Sequence, residues 1–490
     1  MTPDEFRELG RRMVDEVARY MERVESMDVL SRARPGEVLS RLASEPPERG
    51  VGESGVGAVW DSIFEDVERV IMPGLTHWQS PNFYAFFPAN ASGPSILGEL
   101  LSAGLGVQGM LWLTSPACTE LETRVLDWLG AALGLPACFL SSAVGPEGKP
   151  SGGGVIQGTA SEAALVALCA ARARVRKAGA GAEARCTVYG STQAHSSIVK
   201  AAMIAGLAAG PDDRSRVRLI ETDASHAMDP ARLSVRLRED LAAGLVPTFV
   251  CASVGTTSST AVDPVEEIAR VLHLAGLTGR TWLHVDAAHA GAACVCPELR
   301  WMIRGVEHAD SFCFNPHKWL LTNFDCDCFY TRDRASLTDA LSITPEYLRN
   351  SATQEGVIDY RDWQVPLGRR FRALKLWFVL RHYGLDALRR YIREHIRLAS
   401  LFESWLRADD RFEVVAPRTM NLICFRLRER SDERQAELVG RLNGTGRMFL
   451  THTVLPGVGY TIRFCVGATT TSQRHVEAAW DLIRREAAGL

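Results

Sequence analysis

The heptapeptide FCFNPHK, residues 312–318, sets a lysine beside a histidine directly after an aromatic run of strand character. Of the 55 Lys plus Arg in the chain, only Lys149, Lys177, Lys200, Lys318 and Lys375 are lysine. Arginine supplies almost all the positive surface charge, so a lysine in an apolar setting offers what arginine cannot, a primary amine able to lose its proton. Desolvated and near other cations, that amine has a lowered pKa and can form a Schiff base with an aldehyde. The competing reading is a lysine that snorkels or pairs with a carboxylate. A second element, TWLHVDAAHAG at 281–291, ends an apolar strand in Asp286, where an isolated carboxylate is costly to desolvate. Asp286 could pair with a cationic ring nitrogen of a heterocyclic cofactor, cap a loop, or join His284 and His289 around a metal in a metal-dependent hydrolase. The metal reading lacks a second ligand cluster, and a lysine beside a bound cation opposes it. A third element is GGGVIQGTASEAALVALCAARARVRK, residues 152–177. Thr159 and Glu162 have capping-box spacing, and Arg172, Arg174, Arg176 and Lys177 gather where cations suit the helix dipole. The free N–H groups and the hydroxyls of Thr159 and Ser161 at its start would suit a phosphate; a plain capped helix behind a glycine-rich loop explains the segment equally well. His195, in STQAHSS after a strand, offers a flat ring for stacking. Together these match pyridoxal phosphate: a helix start for the phosphate, a carboxylate for the pyridinium nitrogen, a lysine for the aldehyde and a ring to stack.

Such residues need a scaffold that brings them to one edge. Candidate strands are CTVYGS (186–191), RVRLIET (216–222), TFVCASVG (248–255), TWLHVDA (281–287) and SFCFN (311–315), with helical stretches between several of them. This alternation predicts an α/β fold with a mainly parallel central sheet, covered on both faces, whose ligands bind at the carboxyl ends of the strands. The expected division is an N-terminal helical segment (1–92), a large cofactor-binding domain (93–376) and a small C-terminal α+β domain (377–490). In ACTELETRVLDWLGAALGLP (117–136), Leu121, Val125, Trp128, Leu129 and Leu133 line one helical face, a core face, and Gly134 with Pro136 supplies the stop. The net charge of -3 gives no general case for nucleic acid or an anionic membrane as partner. The N-terminus lacks the apolar core of a secretory signal, and the uncharged run Leu100–Cys118 is broken by glycines and polar residues, which suits a buried or interfacial segment. The 12 cysteines are scattered, with C-x-C as their tightest spacing, which suits small buried hydrophobes in a reducing cytoplasm.

On the segments THWQSPNFYAFFP, TSPACTELE, GGGVIQGTASEA, QAHSS, WLHVDAAHAG, FNPHKWLLTNFDC, DYRDWQVPLGRRFRALKLWF and IRF, which run nearly end to end, the chain resembles the aromatic-L-amino-acid decarboxylases. These are group II pyridoxal-phosphate decarboxylases with an aspartate-aminotransferase-type fold (fold type I). The resemblance implies that Lys318 binds the cofactor aldehyde, Asp286 holds the ring nitrogen and His195 stacks on the ring. Thr159, Ala160, Ser161, Asn315 and His317 would frame the phosphate, and Thr257 and Ala288 would lie near the ring. It implies a homodimer with shared active sites, the N-terminal helices clasping the other subunit and residues around Met110 and Gly368 reaching the partner's site. The implied reaction converts an aromatic L-amino acid to the aryl-ethylamine and carbon dioxide. Tyr347, in LSITPEYLRN on a polar loop at about 342–355, would return a proton to Cα. Relatives that form aldehydes oxidatively have phenylalanine there, so an aromatic aldehyde synthase is the alternative activity.

For the substrate, Trp78, Phe86, Phe87 and Pro88 match the family's aromatic pocket, which His195, His317 and Gly368 would border. Ala89 stands where animal dopa decarboxylases have a threonine able to bond a catechol oxygen. Met110, beside Gln108 in sequence, replaces the usual aromatic residue, and its flexible thioether suits a larger ring. Gly368 matches the glycine of indole-accepting plant relatives. Tryptophan is therefore the expected substrate, with phenylalanine, tyrosine, dopa or 5-hydroxytryptophan behind it. Arg463 in TIRF matches a family arginine that supports the fold or the site.

Overall fold

The structure is a computed structural model of the 490-residue chain and describes residues 1–51, 55–145, 148–179, 185–343 and 357–490. Seven strands form the large sheet: β1 (Gly153–Gln157), β2 (Cys186–Ser191), β3 (Val217–Ile220), β4 (Val246–Ser253), β5 (Trp282–Asp286), β6 (Ser311–Phe314) and β7 (Asp327–Thr331), in the order β1-β7-β6-β5-β4-β2-β3. From β3 to β6 every pairing is parallel, while β7 runs antiparallel to both β6 and β1. Reversing direction twice leaves β1 parallel with the main set, so the ends of β1, β2, β4, β5 and β6 open on one edge. The inner strands are buried along their length, as a sheet covered on both faces requires.

Two of these strands were not expected from the sequence. β1 opens on glycines and looks like loop, yet all five of its residues are buried. β7 begins with Asp327, which reads as a charge that no core strand would carry. Burial pushes this carboxyl well above its ordinary pKa, which favours its neutral form.

Helix Ala160–Ala178 covers one face of the sheet, and its buried Ala163, Ala164, Ala167, Ala170 and Ala171 permit close approach. Helices Pro116–Leu133, Pro230–Ala242 and Val265–Leu274 close the other face with Val125, Leu129, Leu237 and Ile268. Trp128 departs from the expected core face, being 45% exposed. It lies about 100° round the helix from Leu129 and falls outside the stripe that meets the sheet.

A second sheet of β8 (Phe412–Val414), β9 (Leu422–Leu427), β10 (Thr451–Leu455) and β11 (Gly459–Cys465) is antiparallel throughout, in the order β10-β11-β9-β8. β10 was also missed; its THTVL pattern is mostly polar and half-exposed, and hairpin pairing with β11 makes it a strand. Helix Arg372–Arg407 serves both sheets, with a bend at Gly384, where φ is +64°. Among the described residues no helix is long and apolar enough to cross a membrane.

A buried ion pair ties helix Pro116–Leu133 and the segment before helix Arg372–Arg407 to β1. Glu122 and Arg369 are both inaccessible to solvent and joined by a hydrogen bond from Arg369 Nη2 to Glu122 Oε1. Glu122 Oε1 also accepts from Ile156 N of β1 at 2.7 Å, and Arg369 Nη1 donates to Gln364 Oε1 at 3.0 Å. Removing one partner strands a buried charge, so Arg369→Met should cost about 3–5 kcal/mol in urea unfolding. The double variant Glu122→Met with Arg369→Met should recover much of that loss.

Candidate active site

The open edge of the sheet gathers a cleft lined by Thr159, Ala160, Ser161, His195, Thr257 and Asp286, and further by Ala288, Asn315, His317, Lys318 and Phe87. Residues that are far apart in sequence meet because successive parallel strands deliver their loops to the same edge.

Helix Ala160–Ala178 starts at the cleft after the tight exit from β1. Thr159 is its N-cap residue but makes no side-chain cap bond. The expected capping box does not form: Glu162 Oε2 accepts from Gly158 N at 3.1 Å and bypasses Thr159. The Thr159 hydroxyl, the exposed Ser161 hydroxyl and the first N–H groups of the helix are thereby left to an anion. Asp286 ends β5 and is 8% exposed, with Oδ1 accepting from Ala288 N at 3.0 Å. His195 follows β2; its Nδ1 accepts from Ser197 N at 3.2 Å, so a neutral ring carries its proton on Nε2. Burial, with Lys318 adding to it, holds this histidine below its ordinary pKa.

β6 leads directly into the short helical turn Pro316–Trp319, which carries Lys318 at the cleft floor, half-buried. Burial lowers its pKa, against the opposing pull of Asp286. No salt bridge to Lys318 occurs among the described residues, so the paired-lysine reading of the sequence lacks its carboxylate. His317 Nδ1 accepts from Cys326 N at 2.9 Å, which fixes the ring and leaves Nε2 as its donor. Asn315 N donates to Ala288 O at 2.9 Å, while Asn315 Oδ1 is buried without a partner among the described residues.

The other expected site residues are distributed around this cleft. Phe87 lines it, 8% exposed, with its ring 3.9 Å from that of His289 and 9° from parallel; His289 in turn stacks on Trp319 at 4.8 Å. Trp78 and Phe86 stack on each other at 5.6 Å and are half-exposed, and Pro88 is buried against Gly467. Ala89 presents its carbonyl to Gln79 Nε2 at 2.6 Å. Met110 and Gly368 do not line the cleft; a Cβ on Gly368 would lie 3.3 Å from Gln108 Nε2. Tyr347 lies outside the described residues.

The residues weighed as metal ligands are otherwise engaged. His284 Nδ1 bonds Ser311 Oγ at 2.8 Å and His289 Nε2 bonds Asn421 Oδ1 at 2.8 Å. Among the described residues no cluster of three His, Cys, Asp or Glu is arranged to hold a metal ion. Sequence reasoning also left out cleft residues: Ser253, Thr256 and Phe324 line it as well. Ser253 ends β4 and Thr256 adjoins Thr257, so both were within reach of the strand-end rule. Arg463, 3% exposed, donates to Thr451 Oγ1 at 3.1 Å, Ser258 O at 3.2 Å and Phe86 O at 3.4 Å, pinning the aromatic segment to β11.

Four buried histidines make the fold sensitive to acid. Burial pushes His284 to about 4, and His289, His317 and His395 to about 3. Each stays neutral in the folded chain but takes up a proton near pH 6.5 once unfolded. Their stabilising contribution is complete above about pH 6.5 and is lost as pH falls towards 3. His289→Phe, which keeps the ring stack, should make the dependence of unfolding free energy on pH shallower by about 1.4 kcal/mol per pH unit between pH 4 and 6.

These donors fit pyridoxal phosphate: a helix start with uncommitted hydroxyls for the phosphate, Asp286 for a protonated ring nitrogen, and an unpaired, partly desolvated lysine for the aldehyde. The sequence profile described as "Pyridoxal-dependent decarboxylase conserved domain" matches residues 55–428. The chain is 48% identical over 498 residues to tryptophan decarboxylase 2 of Oryza sativa subsp. japonica, covering 99% of this chain and 95% of that protein. It is 47% identical over 498 residues to phenylacetaldehyde synthase of Arabidopsis thaliana, covering 100% and 97%. The crystal structure of Oryza sativa TDC with PLP and tryptamine superposes with a TM-score of 0.92 at 43% identity, covering 100% of this chain and 99% of that one. With the profile match spanning most of the chain and the cofactor's donors meeting in one cleft, the protein belongs to the pyridoxal-dependent decarboxylase family and is a pyridoxal-phosphate-dependent carboxy-lyase.

Proposed function

We propose that this enzyme decarboxylates an aromatic L-amino acid, tryptophan foremost, to the aryl-ethylamine and carbon dioxide, as a cytoplasmic homodimer. The observation that carries the reading is the convergence of Lys318, Asp286 and the Thr159 helix start beside an aromatic wall. That wall, Phe87 with Trp78 and Phe86 near it, offers stacking and edge contacts to an aromatic side chain. Arg463, whose guanidinium carbon lies 5.5 Å from the Phe87 ring centre, is committed to Thr451, Ser258 and Phe86, so this guanidinium is not free to receive an acidic side chain.

When bound, the cofactor supplies an electron sink for the pair released as the carboxyl group departs. Within the chain, Asp286 would keep a proton on the ring nitrogen, His195 would stack on the ring, and the Thr159 to Ser161 helix start would hold the phosphate. Lys318 would hold the aldehyde, its amine partly desolvated and without a salt bridge among the described residues. Tyr347 returns the proton to Cα.

Indole selection rests on Ala89, Met110 and Gly368. A serine side chain in place of Gly368 would press on Gln108. Met110 and Gly368 lie away from the cleft of their own chain, which suits delivery to a partner's cleft. The exposed Phe6, Val14 and Met21 of helix Pro3–Arg23 and the exposed Leu97, Leu101 and Leu105 of helix Gly93–Leu105 offer apolar surface for the dimer.

The test is incubation with tryptophan, phenylalanine, tyrosine, dopa and 5-hydroxytryptophan, measuring amine, aldehyde, carbon dioxide, peroxide and ammonia. Amine with stoichiometric carbon dioxide is expected, and Tyr347→Phe should divert product to aldehyde with oxygen uptake. Similarity to phenylacetaldehyde synthase keeps the aldehyde reading in view; peroxide and ammonia from the unmodified enzyme would establish it. Equal kcat/KM for tryptophan and dopa would remove the argument from Ala89.

A further inference from the structure

Behind Asp286 lies a buried file of side chains that cofactor binding does not use. Trp282 Nε1 donates to Ser311 Oγ at 2.7 Å, and Ser311 Oγ lies 2.8 Å from His284 Nδ1. His284 Nε2 lies 3.7 Å from Cys313 Sγ, and Cys313 Sγ lies 4.0 Å from Asp286 Oδ1 with donor geometry. Trp282, Ser311, His284 and Cys313 are all fully buried, so no bulk water completes the set. β5 and β6 create the file by parallel register, His284 beside Ser311 and Asp286 beside Cys313.

The direction of every bond follows from the first. An indole nitrogen can only donate, so Ser311 accepts from Trp282, and His284 Nδ1 is the one acceptor found for its own proton. A neutral His284 then carries its hydrogen on Nε2 and gives it to the Cys313 sulfur. The thiol's own hydrogen is left to Asp286 Oδ1. Burial keeps both middle members in the required forms, His284 being pushed to about 4 and the Cys313 thiol well above its ordinary value. Since Ala288 N also donates to Oδ1, both donors fall on one oxygen.

We propose that Trp282, Ser311, His284 and Cys313 form a polarised hydrogen-bond file in which the Cys313 thiol is a positioning residue, fixing Asp286 so that Oδ2 faces the cofactor's ring nitrogen. The two donors on Oδ1 hold the carboxylate plane, and because the thiol is a weak donor they draw little charge away from Oδ2. Cysteine suits this position because its S–H is a weak donor: it orients the carboxylate without withdrawing much of its charge.

The inference rests on Asp286 serving the ring nitrogen, and the experiment separates the two claims. The S–H stretch of Cys313, isolated as the infrared difference between wild type and Cys313→Ala, should lie below the bands of the other buried cysteines in both apo and holo protein. In Asp286→Asn it should move up towards them. Cys313→Ala should weaken pyridoxal phosphate binding and lower kcat, each roughly five- to tenfold, with the amino-acid KM within about twofold. Cys313→Ser should restore most of both, because it keeps a donor. Trp282→Phe should shift the neutral His284 tautomer, read by ring-nitrogen NMR of 15N-histidine-labelled holoenzyme, while Trp282→His, which keeps a ring N–H, should leave it on Nε2. An unshifted S–H band, or Cys313→Ala holoenzyme with wild-type cofactor affinity and kcat, would overturn the file. Wild-type kcat in Asp286→Asn would instead overturn the role given to Asp286.

Discussion

Lys318→Ala is expected to abolish turnover and to remove the visible absorption of the purified holoenzyme. Lys318 stands in the helical turn that follows β6, half-buried, its Nζ 5.5 Å from the centre of the Phe87 ring. Burial lowers its pKa and no salt bridge among the described residues holds it protonated, which is what a nucleophilic amine needs. Alanine leaves the phosphate cup and Asp286 in place, so cofactor can still enter without a covalent anchor. Losing the anchoring amine should cost roughly 10³-fold or more in kcat. Lys318→Arg should fail equally, because guanidinium keeps the charge but cannot give up its proton. Absorbance spectra of the purified variants and amine formation check both. Retained turnover in the alanine variant would move the anchor away from Lys318.

Asp286→Asn should give the complementary result, with cofactor bound but chemistry slow. The amide is nearly isosteric and can still accept from Ala288 N, so the fold and the lysine linkage should survive. What would disappear is the negative charge proposed to keep a proton on the ring nitrogen. Electrostatic stabilisation in a water-poor site is commonly the largest single contribution to catalysis, and removing this charge should lower kcat by roughly 10²–10³-fold. Cofactor stoichiometry by absorbance, measured beside single-turnover rates, separates the two effects. A variant that loses cofactor altogether would make Asp286 an anchor rather than a source of charge.

Much of this site is legible in the chain because its strongest signals are local. A lysine after an aromatic strand, an aspartate closing an apolar one and a hydroxyl-bearing helix start each occupy a few consecutive residues. The parallel-sheet rule then brings their strands to one edge. What stayed hidden depends on contacts between distant segments. β1 looks like a glycine loop until β7 pairs with it, and β7 looks too polar for a core because the upward pKa shift of Asp327 comes only with its burial. The capping box of Thr159 and Glu162 has the right spacing but loses to Gly158 N, a competition that only the exit geometry of β1 decides. Cys313 reads as one more small hydrophobe, and its polarity emerges only with His284 and Asp286 on the adjoining strand. Arg463, more than a hundred residues beyond Lys318 in sequence, reaches the aromatic segment solely through the packing of the second sheet.

Helix Arg372–Arg407 bends at Gly384, before it supplies Leu388 and Ile392 to the core of the large sheet. From there it runs on without a break and gives Leu398, Ala399, Phe402 and Leu406 to the core of the second sheet. The bend itself is half-buried with open space beside it, and it falls between two stretches that serve the same core, while the stretch that joins the two cores is unbroken helix. Flexing this helix cannot rock the two bodies apart like a jaw, since that would tear apolar side chains from both interiors at once. Asp286 at the end of β5 and Lys318 in the turn after β6 both belong to the large sheet, so the spacing between them is set within one body.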